Sequence, residues 1–289
     1  MKKKFLFVQI FQPFAQFRNP FTFYGAQSFP LPPKTTIIGF LQNAVNDYYG
    51  NTFGVDKWYS LKLSVSGFAE SSFMNYSQYL QHPTFYSTVS GLEYKKTFPV
   101  NPNIKRYSNV DTEMKPIVQE ELFNVQMLIF LEGDSKMLEE IYNALINPKK
   151  ILYLGRSEDV VFVKKVKIFD ELEIINKNEV EFILPTYLKE SFYEKCKKKY
   201  MINNFPIYSI PIKNVFYNEN RIVKHKSEIS FKKTKRETVF ERLIYLSFYA
   251  ERIFKLEKEI EFYKISLKKL LDREDLEKDL IIPKEDGWI

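Results

Sequence analysis

Apolar and polar positions alternate clearly in the first 170 residues and less clearly afterwards. Residues 4–11 alternate imperfectly and are rich in Phe, Val and Ile, which predicts a strand. Residues 12–33 are proline-rich and lack a helical period, so they read as a long ordered loop. Pro32-Pro33 then stops the chain before Lys34-Thr35-Thr36, where either threonine can cap a helix. Ile37, Ile38, Leu41, Ala44, Val45 and Tyr48 come next at three- and four-residue spacing, predicting a buried helix to about residue 49. Leu61, Leu63, Val65 and Gly67 alternate against polar partners in a second strand over 61–69.

Residues 71–119 are rich in Tyr, Phe, Asn and Lys and read as an insertion. An apolar strand at 121–131 comes after it, then a helix at 134–147 that turns Met137, Leu138, Ile141, Ala144 and Leu145 inward and stops at Asn147-Pro148. Residues 149–154 and 160–169 are strand-like. The order strand, helix, strand, insertion, strand, helix, strand is the β-α-β-β-α-β arrangement of ferredoxin-like domains, which RNA-recognition modules use.

The expected fold class is therefore α+β: a ferredoxin-like domain over 1–170, with a long β-hairpin insertion at about 71–119. A basic, partly β segment is expected over 171–236, with strands near 180–184, 207–212 and 221–229 and a Lys-rich helix around 189–200. A helical extension completes the chain over 237–289. In its long helix, 237–271, Val239, Leu243, Leu246, Ala250, Ile253, Leu256, Ile260, Tyr263, Leu267 and Leu270 keep a three/four spacing. One apolar stripe of this kind packs on its own domain or on a partner subunit.

Composition narrows the classes. With 45% apolar and 17% aromatic residues the chain is not disordered, and nine glycines argue against a Gly-rich nucleotide-binding architecture. Cys196 is the one cysteine, which excludes a disulfide scaffold or a cysteine-based zinc cluster and predicts the reducing cytoplasm. No apolar run approaches the roughly 20 residues that cross a bilayer, so no membrane partner is expected. The start Met1-Lys2-Lys3-Lys4 resembles a signal-peptide n-region, but Gln9, Gln12 and Pro13 interrupt the apolar stretch after it.

The formal charge of +7 is unevenly placed. Residues 189–236 hold thirteen Lys/Arg against four Asp/Glu, a net of +9, and residues 237–289 hold ten against thirteen, a net of −3. A basic middle and an acidic tail suggest a polyanion-binding face and a separate packing surface. AT-rich coding yields a similar Lys- and Phe-rich composition.

Two stretches carry a family resemblance. The first is Ala15-Gln16-Phe17-Arg18-Asn19-Pro20-Phe21 together with Ser28-Phe29-Pro30-Leu31-Pro32-Pro33-Lys34-Thr35-Thr36-Ile37-Ile38-Gly39-Phe40-Leu41. The second is Leu152-Tyr153-Leu154-Gly155-Arg156-Ser157-Glu158. They resemble, in order, the N-terminal signature and the Leu-Gly-Arg motif of the fifth CRISPR-associated family, a branch of the RAMP superfamily. The resemblance implies a crRNA-binding subunit of a type I CRISPR Cascade complex, of subtype I-B, which caps the 5′ handle of the guide RNA in antiviral defence. It implies the Cascade large subunit and the seventh-family backbone subunit as neighbours, a thumb hairpin for the insertion, and no cofactor. Related RAMP subunits of type III complexes share the Pro-x-Thr helix start, so that assignment stays open. The basic segment and the long helix beyond residue 212 depart from a compact member, and the Gly-rich loop of many RAMP proteins is missing.

The same motifs supply candidate contacts. Lys34, Thr35 and Thr36 open a helix whose free N–H groups and dipole favour a phosphate; plain capping is the alternative. Arg18, in the Pro-rich loop, suits bidentate contacts or a structural salt bridge. Arg156, with Ser157 beside it, comes directly after Gly155 and can approach a nucleotide or pair with Glu158 or Asp159. In the insertion Tyr76, Tyr79, Phe85, Tyr86, Tyr94 and Tyr107 are interleaved with Lys95, Lys96, Lys105 and Arg106, a combination that holds single strands or packs as a hairpin. Lys195, Lys197, Lys198 and Lys199, and Lys224, Lys226, Lys232, Lys233, Lys235 and Arg236, form two basic clusters, solvated or tracking a backbone.

The family includes a branch that cuts precursor RNA without metal, using a histidine with tyrosine and lysine nearby. Only His82 and His225 are available here. His82, with Tyr79, Tyr86 and Lys95 close in sequence, is the alternative catalytic residue; the expected protein is not an enzyme. No HxH, HExxH or acidic cluster predicts a metal. Cys196 lies between Lys195 and Lys197, a setting that lowers a thiol pKa or is incidental. A third reading makes the chain an assembly protein whose C-terminal helix docks the large subunit. The guide-capping reading requires the Pro-rich loop, the helix start and the Gly-Arg turn to meet on one surface.

Overall fold

The first strand is apolar on both sides, and the two sets of side chains enter different cores. In the computed structural model, β1 (Lys3–Ala15) turns Leu6, Val8 and Ile10 to one layer and Phe5 and Phe7 to another. The structure describes residues 3–22, 25–80, 84–89, 92–97, 114–197, 205–218, 221–224, 226–229, 233–247 and 253–289, without the side chains of 78–97 and 114–115.

After β1 come α1 (Lys34–Val45), α2 (Val55–Tyr59), β2 (Lys62–Phe68), β3 (Ser71–Leu80), β4 (Thr84–Val89), β5 (Leu92–Thr97) and β6 (Met114–Asp134). The chain continues through α3 (Ser135–Ile146), β7 (Phe162–Phe169), β8 (Glu173–Glu181), β9 (Thr186–Lys189), α4 (Glu190–Glu194), β10 (Ile207–Asn218) and β11 (Arg221–Ile222). The last elements are β12 (Thr234–Leu246), β13 (Ile253–Ser266), α5 (Leu267–Leu271) and β14 (Asp279–Pro283).

The main sheet runs β11-β10-β12-β9-β2-β6-β1-β7, with antiparallel pairings throughout. The long strand β6 organises it. One edge pairs β1 from Lys3↔Asp134 to Ala15↔Leu122. Its other edge pairs β2 and then β3, ending at Leu80↔Met114. Asn124, with φ 50°, marks the break between those two partners. α1 and α3 cover one face, burying Ile37, Ile38, Leu41, Leu138 and Ile141. The Asp134 carboxylate accepts from the Met137 N–H at 3.2 Å and caps α3.

Part of the opposite face is covered by a three-stranded sheet, β14-β13-β8, together with α5. Phe5, Phe7, Leu128 and Phe130 pack there against Tyr263, Ile265, Leu280, Ile282 and Trp288. Ile289 exchanges two backbone hydrogen bonds with Leu63, at 3.0 and 2.8 Å. The fold is α+β, mostly antiparallel sheet with few helices.

The expected helix over 237–271 is corrected: the described part of that stretch forms β12 and β13, and only α5 is helical. β-branched and aromatic residues are as frequent in the run as charged ones, and Phe254 and Leu256, then Ile260 and Phe262 beyond a charged gap, all fall at even positions, as one face of a half-buried strand requires. The ladder with β8 shifts register between Lys255 and Ile260, which opens a gap in the alternation. Beyond it Tyr263 and Ile265 enter a second core from the other face, so the two sets of apolar residues together imitate a three/four spacing. Three smaller expectations also change. Residues 149–154 contribute only the isolated bridge Tyr153↔Val160, the strand at 221–229 shrinks to β11, and the Lys-rich helix shrinks to α4.

Candidate nucleic-acid interface

The described residues of the Pro-rich loop pair across Arg18↔Ser28 and are anchored by aromatics. The Phe17 N–H donates to Ser28 Oγ at 2.9 Å, the Phe29 N–H to the Phe17 carbonyl at 2.7 Å, and the Asn19 N–H to the Gln27 carbonyl at 2.8 Å. Phe17 and Phe29 are buried beneath it, while Arg18 is exposed. Farther out, Phe21 lies 5.1 Å from Phe240 of β12 and ties the loop tip to that strand.

This anchoring opens a cleft of about 240 Å³ at the start of α1. Arg18 and Pro20 form one wall, Pro33, Thr35 and Thr36 the floor, and Pro211, Asn214, Arg236, Thr238 and Phe240 the other wall. Thr238 Oγ1 donates to Asn214 Oδ1 at 2.9 Å, and Asn214 Nδ2 to Tyr59 Oη at 3.1 Å, which orients that wall. No carboxylate lines the cleft among the described residues. Pro33 occupies the N-cap position and no side chain caps α1, so neither threonine does the capping work. The helix start leaves its positive end and two threonines at the floor of the cleft, a setting that favours an anion.

Lys34 is only 8% exposed, and its ammonium has no carboxylate within ion-pair distance among the described residues. Burial pushes its pKa down to about 8, against the opposing pull of Glu241, with Lys189 and Lys213 adding to the fall.

The Gly-Arg turn is built differently. Gly155 has φ +109°, and a Cβ there would lie 2.7 Å from Asp159 Oδ2 and from the Gln16 carbonyl. Arg156 donates to Asp159 Oδ1 at 2.8 Å, to Glu121 Oε1 at 2.7 Å and to Gln119 Oε1 at 3.1 Å. Buried Asp159 also accepts from the Gln16 N–H at 3.0 Å. Burial raises the Glu121 pKa, but hydrogen bonds from Arg156 and Asn75 outweigh it and hold the carboxyl below its usual range. Ser157 Oγ donates to exposed Glu158 at 3.1 Å. The structure thus brings Arg18, Thr35 and Thr36 together in the cleft, while Lys34 is buried at the helix start without lining it, and Arg156 serves the internal pairing and does not join the lining either.

Lys95 and Lys96 lie on β5 opposite Tyr86 and Phe85, with side chains outside the described residues. Lys105, Arg106, His82 and His225 also lie outside them. Of the basic clusters, Lys195 is held by Glu285 at 2.9 Å and Asp286 at 2.8 Å. Arg236 enters the cleft, which sequence reading treated only as part of a charge run. Asn214 and Thr238 were missed, because only the Asn214↔Thr238 register of β10 and β12 places them there. Cys196 is buried; burial pushes its thiol up to about 11, with Asp286 and Glu257 adding, which corrects the low-pKa reading. Among the described residues no group of three His, Cys, Asp or Glu side chains is placed to hold a metal, and no helix is long and apolar enough to cross a membrane.

Residues 5–242 match the family model described as CRISPR-associated protein (Cas_Cas5). The backbone is similar to a chain titled CRISPR RNA-guided surveillance complex, with TM-score 0.45 and 12% identity over 89% of this chain and 91% of that one. It is similar to a CRISPR protein from Archaeoglobus fulgidus, with TM-score 0.37 and 13% identity over 96% and 98%. A chain of Type III-B Cmr-beta bound to cognate target RNA and AMPPnP is similar with TM-score 0.37 and 16% identity, over 86% of each chain. No curated protein matches the sequence.

Proposed function

The chain belongs to the CRISPR-associated Cas5 family, and from that premise we propose that it is a non-catalytic, cytoplasmic crRNA-binding subunit of a type I Cascade complex. In this reading it caps the 5′ handle of the guide and sits between the seventh-family backbone subunit and the large subunit. The strand order β2-β6-β1-β7, with α1 and α3 over one face, supports a ferredoxin-like RAMP core. The subtype I-B reading rests on the N-terminal motif alone.

The cleft at the start of α1 carries the proposal: the Pro-rich loop and the helix start meet there, whereas the expected third element, the Gly-Arg turn, does not line it, because Arg156 is engaged by Glu121 and Asp159. Two exposed arginines, Arg18 and Arg236, face two hydroxyls across a helix N-terminus, with no carboxylate among the lining residues. Guanidinium forks bind phosphate bidentately, and an RNA phosphate would supply the counter-charge that Lys34 lacks. Shape and phosphate contacts of this kind position a strand without reading its bases.

Binding of a labelled 5′-handle oligonucleotide to the purified chain tests this. The Arg18→Ala/Arg236→Ala pair is expected to weaken it at least tenfold; unchanged binding sinks the reading. The same protein, incubated with precursor RNA in EDTA, is expected to leave it intact. Discrete cleavage that disappears in His82→Ala would make the chain a metal-independent processing endoribonuclease instead.

A further inference from the structure

The face of the main sheet opposite α1 is only partly covered by the C-terminal layer, and its open part carries a run of phenylalanines. Along β1, Phe11 continues the face of Phe5 and Phe7. Farther on, Ala15 and Leu122 enter the helix-side core, so their neighbours Phe14 and Phe123 point the other way. Phe11 lies 6.1 Å from Phe162 of β7, and Phe14 lies 5.5 Å from Phe123 and 6.2 Å from Phe73 of β3. Phe14, Phe73 and Phe162 are 46%, 40% and 48% exposed, so their rings are available on one side. Single exposed phenylalanines are ordinary, but a contiguous group marks a binding surface.

A cation accompanies the rings. Lys164 Nζ lies 5.3 Å from the Phe11 centroid and 5.7 Å from that of Phe162, and no carboxylate pairs with it among the described residues. Phe11 pairs across the ladder with Gln126, which together with Gln9 lines an adjoining cleft of about 330 Å³, flanked by Leu267, Leu271 and Arg273. Two aromatic faces, an unpaired ammonium and two amides that can donate and accept thus cluster around Phe11, and the Phe14 group comes next along the same strand.

We propose that this face binds a short stretch of single-stranded RNA, with bases stacked on Phe14 and Phe162 and a phosphate at Lys164. Phe11 and Phe14 are about 10 Å apart along the strand, room for two different bases. Phenylalanine stacks on any base, so binding here is tolerant of sequence. An apolar protein face seated on the rings would bury the Lys164 ammonium without a counter-charge, which is unfavourable, whereas a phosphate neutralises it while its bases stack on the rings. The site shares no residue with the α1 cleft and stands independently of the handle-capping reading.

The full chain is irradiated with a ten-nucleotide single-stranded RNA of random sequence containing 5-iodouridine, and the crosslinked peptides are mapped. Crosslinks are expected on peptides containing Phe14 or Phe162, and are expected to persist in Arg18→Ala/Arg236→Ala. In fluorescence polarisation with a labelled oligouridylate, Phe14→Leu/Phe162→Leu is expected to weaken binding about tenfold. Lys164→Glu is expected to weaken it as well, without touching a ring. Crosslinks confined to the α1 cleft overturn the proposal. So does unchanged affinity in a Phe14→Leu/Phe162→Leu variant that melts like its parent, and so does a variant that keeps its RNA affinity but no longer copurifies with neighbouring subunits.

Discussion

The Arg156 guanidinium donates to Oδ1 of Asp159 at 2.8 Å while the Arg156 backbone N–H donates to Oδ2 of the same carboxylate at 2.8 Å. One buried side chain therefore closes the Gly-Arg turn and, through the Gln16 N–H, anchors it to the end of β1. Asp159→Ala is expected to cost on the order of 3 kcal/mol, because it leaves two backbone donors and part of a cation unpaired in a buried place. Urea unfolding measures this. Handle affinity per folded molecule is expected to fall far less than in Arg18→Ala/Arg236→Ala; the opposite ranking would make the turn the RNA contact.

The two cleft arginines are expected to act through phosphates. Replacing both with alanine should reduce the slope of log affinity against log salt by roughly 1.4, at about 0.7 per phosphate contact on a single strand. Titrations from low to moderate salt provide the check. Lost affinity with an unaltered slope would point to base contacts instead.

Lys34 gives a pH signature. Its folded pKa of about 8 lies below its ordinary 10.5, so between those values the unfolded chain holds the extra proton. Stability due to this group therefore rises with pH across that window and is lowest below it. Lys34→Met is expected to abolish the rise and to be more stable than the parent at pH 7, while binding the handle less tightly. In the parent, handle affinity is expected to fall as pH passes about 8. A Lys34→Met protein that is less stable and binds RNA normally would remove Lys34 from the site.

Trp288 is buried between the sheets, yet its indole N–H has no acceptor among the described residues. Trp288→Ala is expected to cost about 3–5 kcal/mol through the cavity it leaves. Trp288→Phe should cost much less, because it also removes an unsatisfied donor. Thermal melts of the two variants decide this, and equal losses would place the missing acceptor somewhere near the ring.

The first half of the fold was legible because its signals are local. Pro33 before Lys34 and Asp134 before α3 mark helix starts, and Leu61–Val65 alternates without interruption. The C-terminal strands were not legible, since the register shift after Lys255 breaks their period and the charged residues Glu257, Lys258 and Glu259 stand in the gap. Only half of the candidate cleft could be read. Arg18, Thr35 and Thr36 belong to a motif, whereas Asn214, Arg236 and Thr238 arrive by pairing of strands about 200 residues away. Arg156 looked the same in sequence whether it served RNA or Asp159, and only the burial of that carboxylate separates the two.

The packing of residues 263–288 over Phe5 and Phe7 sets an order of events during synthesis. The first strand is made well before the layer that shields its second face, from which it is separated by most of the sequence. At about 5–20 residues per second the delay is on the order of 15–50 s. During that interval a greasy strand surface stands open, so a chaperone or an RNA already at hand has time to reach it before the molecule closes over itself.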